Sequence, residues 1–211
     1  MIPIALEWRR PLDGAEIAHD DPDGGEDGVI RYRSERSGPI SFRLSTLENS
    51  VALELLNTTG IEGLVVFVSK YGLPSPMSGG SSKLPRQPLA LIEALKDDVF
   101  DILTTSEIGN PLDRVAQANH LLKYTTLVPS FEFSETENRQ RLIFRPRSLE
   151  DLIATECAVA LDVGASLLRC AHCSKAFLIG PHTGRRSHST YCSDKCRVAA
   201  TRARQAGKGA H

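Results

Sequence analysis

Apolar and polar side chains alternate along "PIALEW" (residues 3–8), "GVIRYR" (28–33) and "ISFRL" (40–44), the period of half-buried strands. Between the first two, residues 13–28 ("DGAEIAHDDPDGGEDG") are acidic, rich in glycine and poor in large apolar groups, which predicts a solvated loop. Its acids do not fall at the alternate positions, before a glycine and a closing glutamate, that a calcium loop needs.

From Ser45 the period lengthens. Residues 45–59 ("STLENSVALELLNTT") and 59–72 ("TGIEGLVVFVSKYG") place apolar side chains three and four apart, predicting a helical hairpin whose second helix ends at Gly72. "PMSGGSSKLP" (76–85) reads as a flexible surface loop by composition. Two more amphipathic helices are predicted in 87–107 and 110–126, the second capped by Asn110 with Pro111 in its first turn. "LVPSFEF" (127–133) and "RQRLIFRP" (139–146) read as paired strands around a polar turn.

The segment 148–169 ("SLEDLIATECAVALDVGASLLR") starts with a capping pair, Ser148 and Asp151. Its apolar positions nearly encircle it, as in the central helix of a core. Cys157 lies inside it and reads as an inert buried thiol. The body contains no phosphate-cradling glycine loop and no nucleophile elbow, so nothing in it points to an enzyme. The expected fold is α+β: a mostly helical body with short strands over residues 1–168, open to a ligand-sensing or interaction role, and a small finger over 169–211.

Four of the five cysteines are crowded into that finger. Cys170 and Cys173 form a Cys-x2-Cys knuckle; after eighteen intervening residues Cys192 and Cys196 stand one helical turn apart. Four thiolates in this spacing close a tetrahedral shell around a structural zinc ion and leave no open position for hydrolytic chemistry. The spacing is not that of an iron–sulfur centre. His172, His182 and His188 are nearby and read as solvated, because four sulfurs already satisfy zinc. Knuckle, hairpin and ligand-bearing helix follow one another in the order of a treble-clef finger, with Phe177 and Leu178 as its apolar contacts.

Charge divides the chain as the cysteines do. Residues 169–211 hold nine Lys/Arg and one acid, a net +8, while residues 1–168 hold 16 basic and 25 acidic side chains, a net −9. A basic end on an acidic body seeks polyanions. Arg185, Arg186, Lys195, Arg197, Arg202, Arg204 and Lys208 are the candidate nucleic-acid contacts, with duplex DNA favoured over RNA; few aromatics are interleaved among them, which argues against a base-stacking single-strand platform. The alternative partner is an acidic protein surface, including the body of another copy; the finger would then be a zinc-stapled interaction module without nucleic-acid binding. A third possibility, a degenerate nuclease using His182 or His188 as base, lacks carboxylate or Asn neighbours for a catalytic metal. No run of about 18 apolar residues exists to span a bilayer and no secretion signal opens the chain, so a cytoplasmic protein is expected.

The finger sequence "LLRCAHCSKAFLIGPHTGRRSHSTYCSDKCRVAATRAR" resembles bacterial zinc fingers with a CxxC…YCS..C…R.R frame, among them the CGNR family. Residues 55–74 resemble the N-terminal part of the same architecture. The resemblance implies a treble-clef finger joined to a helical ABATE domain, in a DNA-binding regulator of transcription linked to stress. At the position of the CGNR tetrapeptide this chain reads "CRVA" from Cys196.

Overall fold

The computed structural model describes residues 3–208 apart from residues 20, 22–24, 45, 80–81, 105–109 and 135–137. Strands β1 (Ile4–Pro11), β2 (Ala15–Ala18), β3 (Val29–Tyr32) and β4 (Ser37–Leu44) come first, followed by helices α1 (Val51–Leu56) and α2 (Gly60–Tyr71). Then come β5 (Met77–Gly79), β6 (Ser82–Pro88), α3 (Leu89–Leu103), α4 (Pro111–Leu122), β7 (Leu127–Ser134), β8 (Arg139–Pro146) and α5 (Leu149–Asp162). The chain closes with β9 (Ser166–Arg169), β10 (Ala176–Ile179) and α6 (Asp194–Lys208).

These strands build a four-stranded sheet in the order β4-β1-β8-β7, a second in the order β2-β3-β6-β5, and the β9-β10 hairpin. The body is therefore mixed rather than mostly helical, with helix and strand in comparable amounts. Two stretches expected to be loops account for much of the difference. Ala15–Ala18 pairs with β3, and the Ser- and Gly-rich stretch around residue 80 supplies β5 and the start of β6. Composition hid them, because their pairing is set by distant partners: Asp21 lies against Arg86 at 3.3 Å, with both side chains almost fully buried.

The helices follow local rules. Ser50 accepts from the amide of Leu53 and starts α1; Asn110 accepts from the amide of Leu112 and starts α4, as expected from the sequence. Helix α2 stops at Gly72, whose φ of +94° suits glycine, and whose Cβ, if present, would stand 2.5 Å from the Arg9 carbonyl oxygen. The indole of Trp8 donates to the Leu73 carbonyl beside it, fixing α2 on β1.

Helix α5 has the expected capping box. The Ser148 hydroxyl accepts from the Asp151 amide, and the Asp151 carboxylate accepts from the Ser148 amide. Nine of its side chains are buried, among them Leu149, Leu152, Ile153 and Cys157, which makes it the central helix. It ends earlier than its apolar pattern suggests. Gly164 takes a φ of +70°, and the amides of Gly164 and Ala165 return to the carbonyls of Leu161 and Ala160, a Schellman stop after which the chain extends into β9.

One apolar cluster joins these layers and does not end at residue 168. Leu47, Leu55, Ile92, Ile102, Leu149, Leu152 and Ile153 share it with Leu167, Ala176 and Leu178 of the β9-β10 hairpin. Among the described residues no helix is long and apolar enough to cross a membrane.

Candidate metal centre

The last fifth of the chain folds around its cysteines. The amide of Cys170 donates to the Lys175 carbonyl and the amide of Ser174 donates to the Cys170 carbonyl, both at 2.9 Å, curling the knuckle tightly. Ser174 pays for the curl with a φ of +62°, in the left-handed region. The amide of Ala171 then donates to the Thr190 carbonyl, which draws the second cysteine pair up to the first.

Ser193 sits just before α6, and its hydroxyl accepts from the amide of Cys196 at 3.2 Å. It is the helix N-cap, and it holds Cys192 and Cys196 at the helix entrance. The Sγ atoms of Cys170, Cys173, Cys192 and Cys196 all lie within 4.8 Å of one another. Cys173 and Cys192 are 3.5 Å apart at sulfur, and Cys192 and Cys196 are 3.6 Å apart. A tetrahedral ion with metal–sulfur bonds of about 2.3 Å spaces its sulfurs about 3.8 Å apart, so this group is positioned to hold one.

The electrostatics suit a cation. Burial pushes the Cys170 thiol up, but the backbone amides of Cys192, Cys173 and His172 together bring it down to about 6. Burial and the neighbouring thiols of Cys173, Cys196 and Cys170 instead push Cys192 up to about 12. Four crowded sulfurs cannot all ionise against one another, and a divalent cation at their centre removes that conflict.

His172, His182 and His188 are exposed and stand outside the sulfur group. Cys157 is buried in α5, where burial and then the Glu156 charge push its thiol up, as expected of an inert core cysteine.

Of the seven basic residues singled out from the sequence, Lys195, Arg197, Arg202 and Arg204 are exposed on α6, and Arg186 is exposed in the preceding loop. Lys208 ends the helix, and its side chain lies outside the described residues. At about 100° per residue, Lys195 and Arg202 fall on one flank of α6 and Arg197 and Arg204 on the other. Val198, Thr201 and Gln205, all exposed, form the ridge between the two flanks. Ala199 and Ala200 are half-buried on the side facing the sulfurs, while Ala203 is exposed. Arg197 reaches the helix's own Asp194 at 3.2 Å; among the described residues no carboxylate pairs with Lys195, Arg202 or Arg204.

Arg185 differs from the others. Its guanidinium lies 3.3 Å from the Glu48 carboxylate of the body and is only a quarter exposed. Glu48 and Asn57 are the residues that the sequence did not mark. Asn57 bonds Ala176 in both directions, and the amide of Leu47 donates to the His182 carbonyl. These three contacts and the shared apolar cluster hold the finger on α1. Ser193 had a legible signal, a serine three residues before Cys196 at a helix start; Glu48 and Asn57 had none.

No protein-family model matches the chain, and no curated protein matches it.

Proposed function

We propose that the chain is a zinc-stabilised nucleic-acid-binding protein that docks α6 on duplex DNA, and that it regulates transcription in a bacterial cytoplasm. Zinc is the ion that a compact four-sulfur shell selects, and its role is structural: it fixes the pitch and position of α6. The observation that carries the reading is the pair of cationic flanks on α6, Lys195 with Arg202 and Arg197 with Arg204, exposed on either side of an uncharged ridge. In a groove, such flanks meet the two phosphate backbones while Val198, Thr201 and Gln205 face the base edges. The likeness of the finger to CGNR-type zinc fingers and of residues 55–74 to the ABATE domain supports the same role.

Fluorescence anisotropy of the zinc-loaded protein on random duplex DNA, repeated at several salt concentrations, tests it. Binding in the micromolar range with a steep salt slope supports the reading. Absence of binding at low salt overturns it. The second reading, a stapled interaction module, draws on the finger's place in the core: Ala176 and Leu178 pack with Leu47 and Leu55 whether or not α6 touches anything.

A further inference from the structure

Where the knuckle meets the body a groove of about 590 Å³ opens, lined by Leu56 and Phe100 and bordered by Lys96, Arg169 and Lys175, with Asp97 as its one carboxylate among the described residues and the metal-shell Cys173 at its edge. Its cations come from three separate elements: Lys96 from α3, Arg169 from the end of β9, and Lys175 from the knuckle. Arg169 is the informative member. In the β9-β10 register Leu167 lies opposite Leu178 and Arg169 opposite Ala176, so these four side chains share one face of the hairpin. That face enters the apolar core through Leu167, Leu178 and Ala176. Arg169 therefore continues a core-facing row and emerges at the groove.

Among the described residues no carboxylate pairs with Arg169 or Lys175. Lys96 is fixed differently: its ammonium donates to the Thr58 carbonyl at 2.7 Å, which holds the charge at the groove and leaves two N–H groups to donate. Three like charges around one concavity repel one another, and Asp97 together with the sulfur of Cys173, which also lines the groove, does not fully balance them. A compact anion with several acceptor oxygens does, and the planar fork of an arginine beside two ammonium groups is the donor set that phosphate uses.

We propose that this groove is a phosphate-binding site. The apolar lining of Leu56 and Phe100 gives room for the organic part of a phosphomonoester; a backbone phosphate of bound nucleic acid offers the same oxygens. The site does not depend on the reading of α6 as a DNA contact, because its residues are distinct from the cations of that helix.

The test is a titration of the zinc-loaded full chain with inorganic phosphate and, separately, with adenosine monophosphate at constant ionic strength. It is followed by the NMR shifts of the Arg169 side chain and of the Thr58 and Lys175 amides, with chloride as control. The proposal expects saturable shifts that weaken about tenfold in Arg169→Gln and persist in Arg202→Gln. A parallel titration with a short duplex separates the two sources. Saturation by the small anions without competition from the duplex assigns a soluble phosphomonoester. Saturation by the duplex alone, weakened in Arg169→Gln, assigns a backbone phosphate. Shifts that stay linear and match chloride in every arm overturn the proposal, as does an Arg169→Gln protein that keeps its zinc, its melting temperature and wild-type affinity. If Arg169→Gln loses zinc, Lys96→Gln, which lies away from the knuckle, takes its place with the same expected tenfold loss.

Discussion

Asn57 serves Ala176 as a strand would: its amide nitrogen donates to the Ala176 carbonyl at 3.0 Å, and its Oδ1 accepts from the Ala176 amide at 2.7 Å. The two residues are 119 positions apart, and the bonds close the edge of β10 where, among the described residues, no third strand pairs. Asn57→Ala removes both bonds and leaves the backbone groups of the buried Ala176 unpaired, a loss of about 1–3 kcal/mol. Asn57→Asp keeps the size but sets a carboxylate against the Ala176 carbonyl, and the loss is expected to be similar. Urea unfolding measures both, and a chelator-competition assay should show faster loss of metal from each variant. Unchanged stability in both would mean that Asn57 is not the brace described here.

Each of the four finger cysteines is expected to be necessary for metal. Serine in place of Cys170, Cys173, Cys192 or Cys196 should reduce bound zinc from about one equivalent per chain to almost none, because a three-sulfur shell is open to water and to competing ligands. Cys157→Ala should retain the full equivalent, since that thiol lies in the core of α5. Metal analysis of the purified variants decides it. Full zinc in any one of the four serine variants would remove that residue from the shell.

The four-cysteine group was legible because its spacing is local: a knuckle of two intervening residues and a helical turn of three bring each pair of sulfurs together. Helix starts were legible for the same reason, as at Ser148 and Asn110. What escaped was long-range. Residues 13–28 and 76–85 read as loops by composition because they hold glycine, serine, proline and acids; the pairing of Ala15–Ala18 and of β6 with β3 is a tertiary event. The end of α5 was overrun because the apolar period continues through Leu167 and Leu168, and only the turn at Gly164 converts it into β9. Glu48 and Asn57 belong to a sequence that predicts a helix, and nothing near them marks the finger as their partner.

The basic residues should separate into two kinds in binding experiments. If α6 contacts duplex DNA, Arg202→Ala with Arg204→Ala removes one cation from each flank and should reduce the salt slope by about 1.8, at about 0.9 per lost phosphate contact. Arg185→Ala should leave that slope close to wild type and lower thermal stability instead, because its guanidinium is engaged by Glu48. Anisotropy at four salt concentrations and a melting curve distinguish the two. Equal slope losses from Arg185→Ala and from either α6 arginine would show that the body contact gives way to DNA.

Truncation after Leu168 should damage the body as well as delete the finger. It removes Ala176 and Leu178 from the shared apolar cluster, takes away the strand that pairs with β9, and leaves Asn57 and the Leu47 amide without their partners. Losing a buried leucine alone costs about 2–5 kcal/mol. The truncated chain should therefore melt well below the full-length protein and bind a hydrophobic dye. A truncated body as stable as the whole would mean that the shared cluster contributes little, and that the finger is an independent unit.

Stability should also depend on pH through Glu156, which lies fully inside α5 against the start of α1. Burial pushes its carboxyl up to about 7 from an ordinary 4.5, against the opposing effect of the Ala52 and Val51 amides and the Ser50 hydroxyl. The folded protein thus keeps a proton that the unfolded chain gives up near pH 4.5. Between those values the native state binds more protons, so this group's stabilisation is complete below about pH 4.5 and is lost as pH rises through about 7, a change on the order of 3 kcal/mol. Glu156→Gln retains an acceptor for the Ala52 amide, which donates to Glu156 at 2.8 Å, and carries no charge to bury. It should match wild type at pH 5 and exceed it at pH 8, with the pH dependence flattened in between. Urea unfolding of both proteins at several pH values, in the presence of zinc, tests this; a variant that is less stable than wild type at pH 8 would show that the Glu156 carboxylate is worth more to α1 than its burial costs.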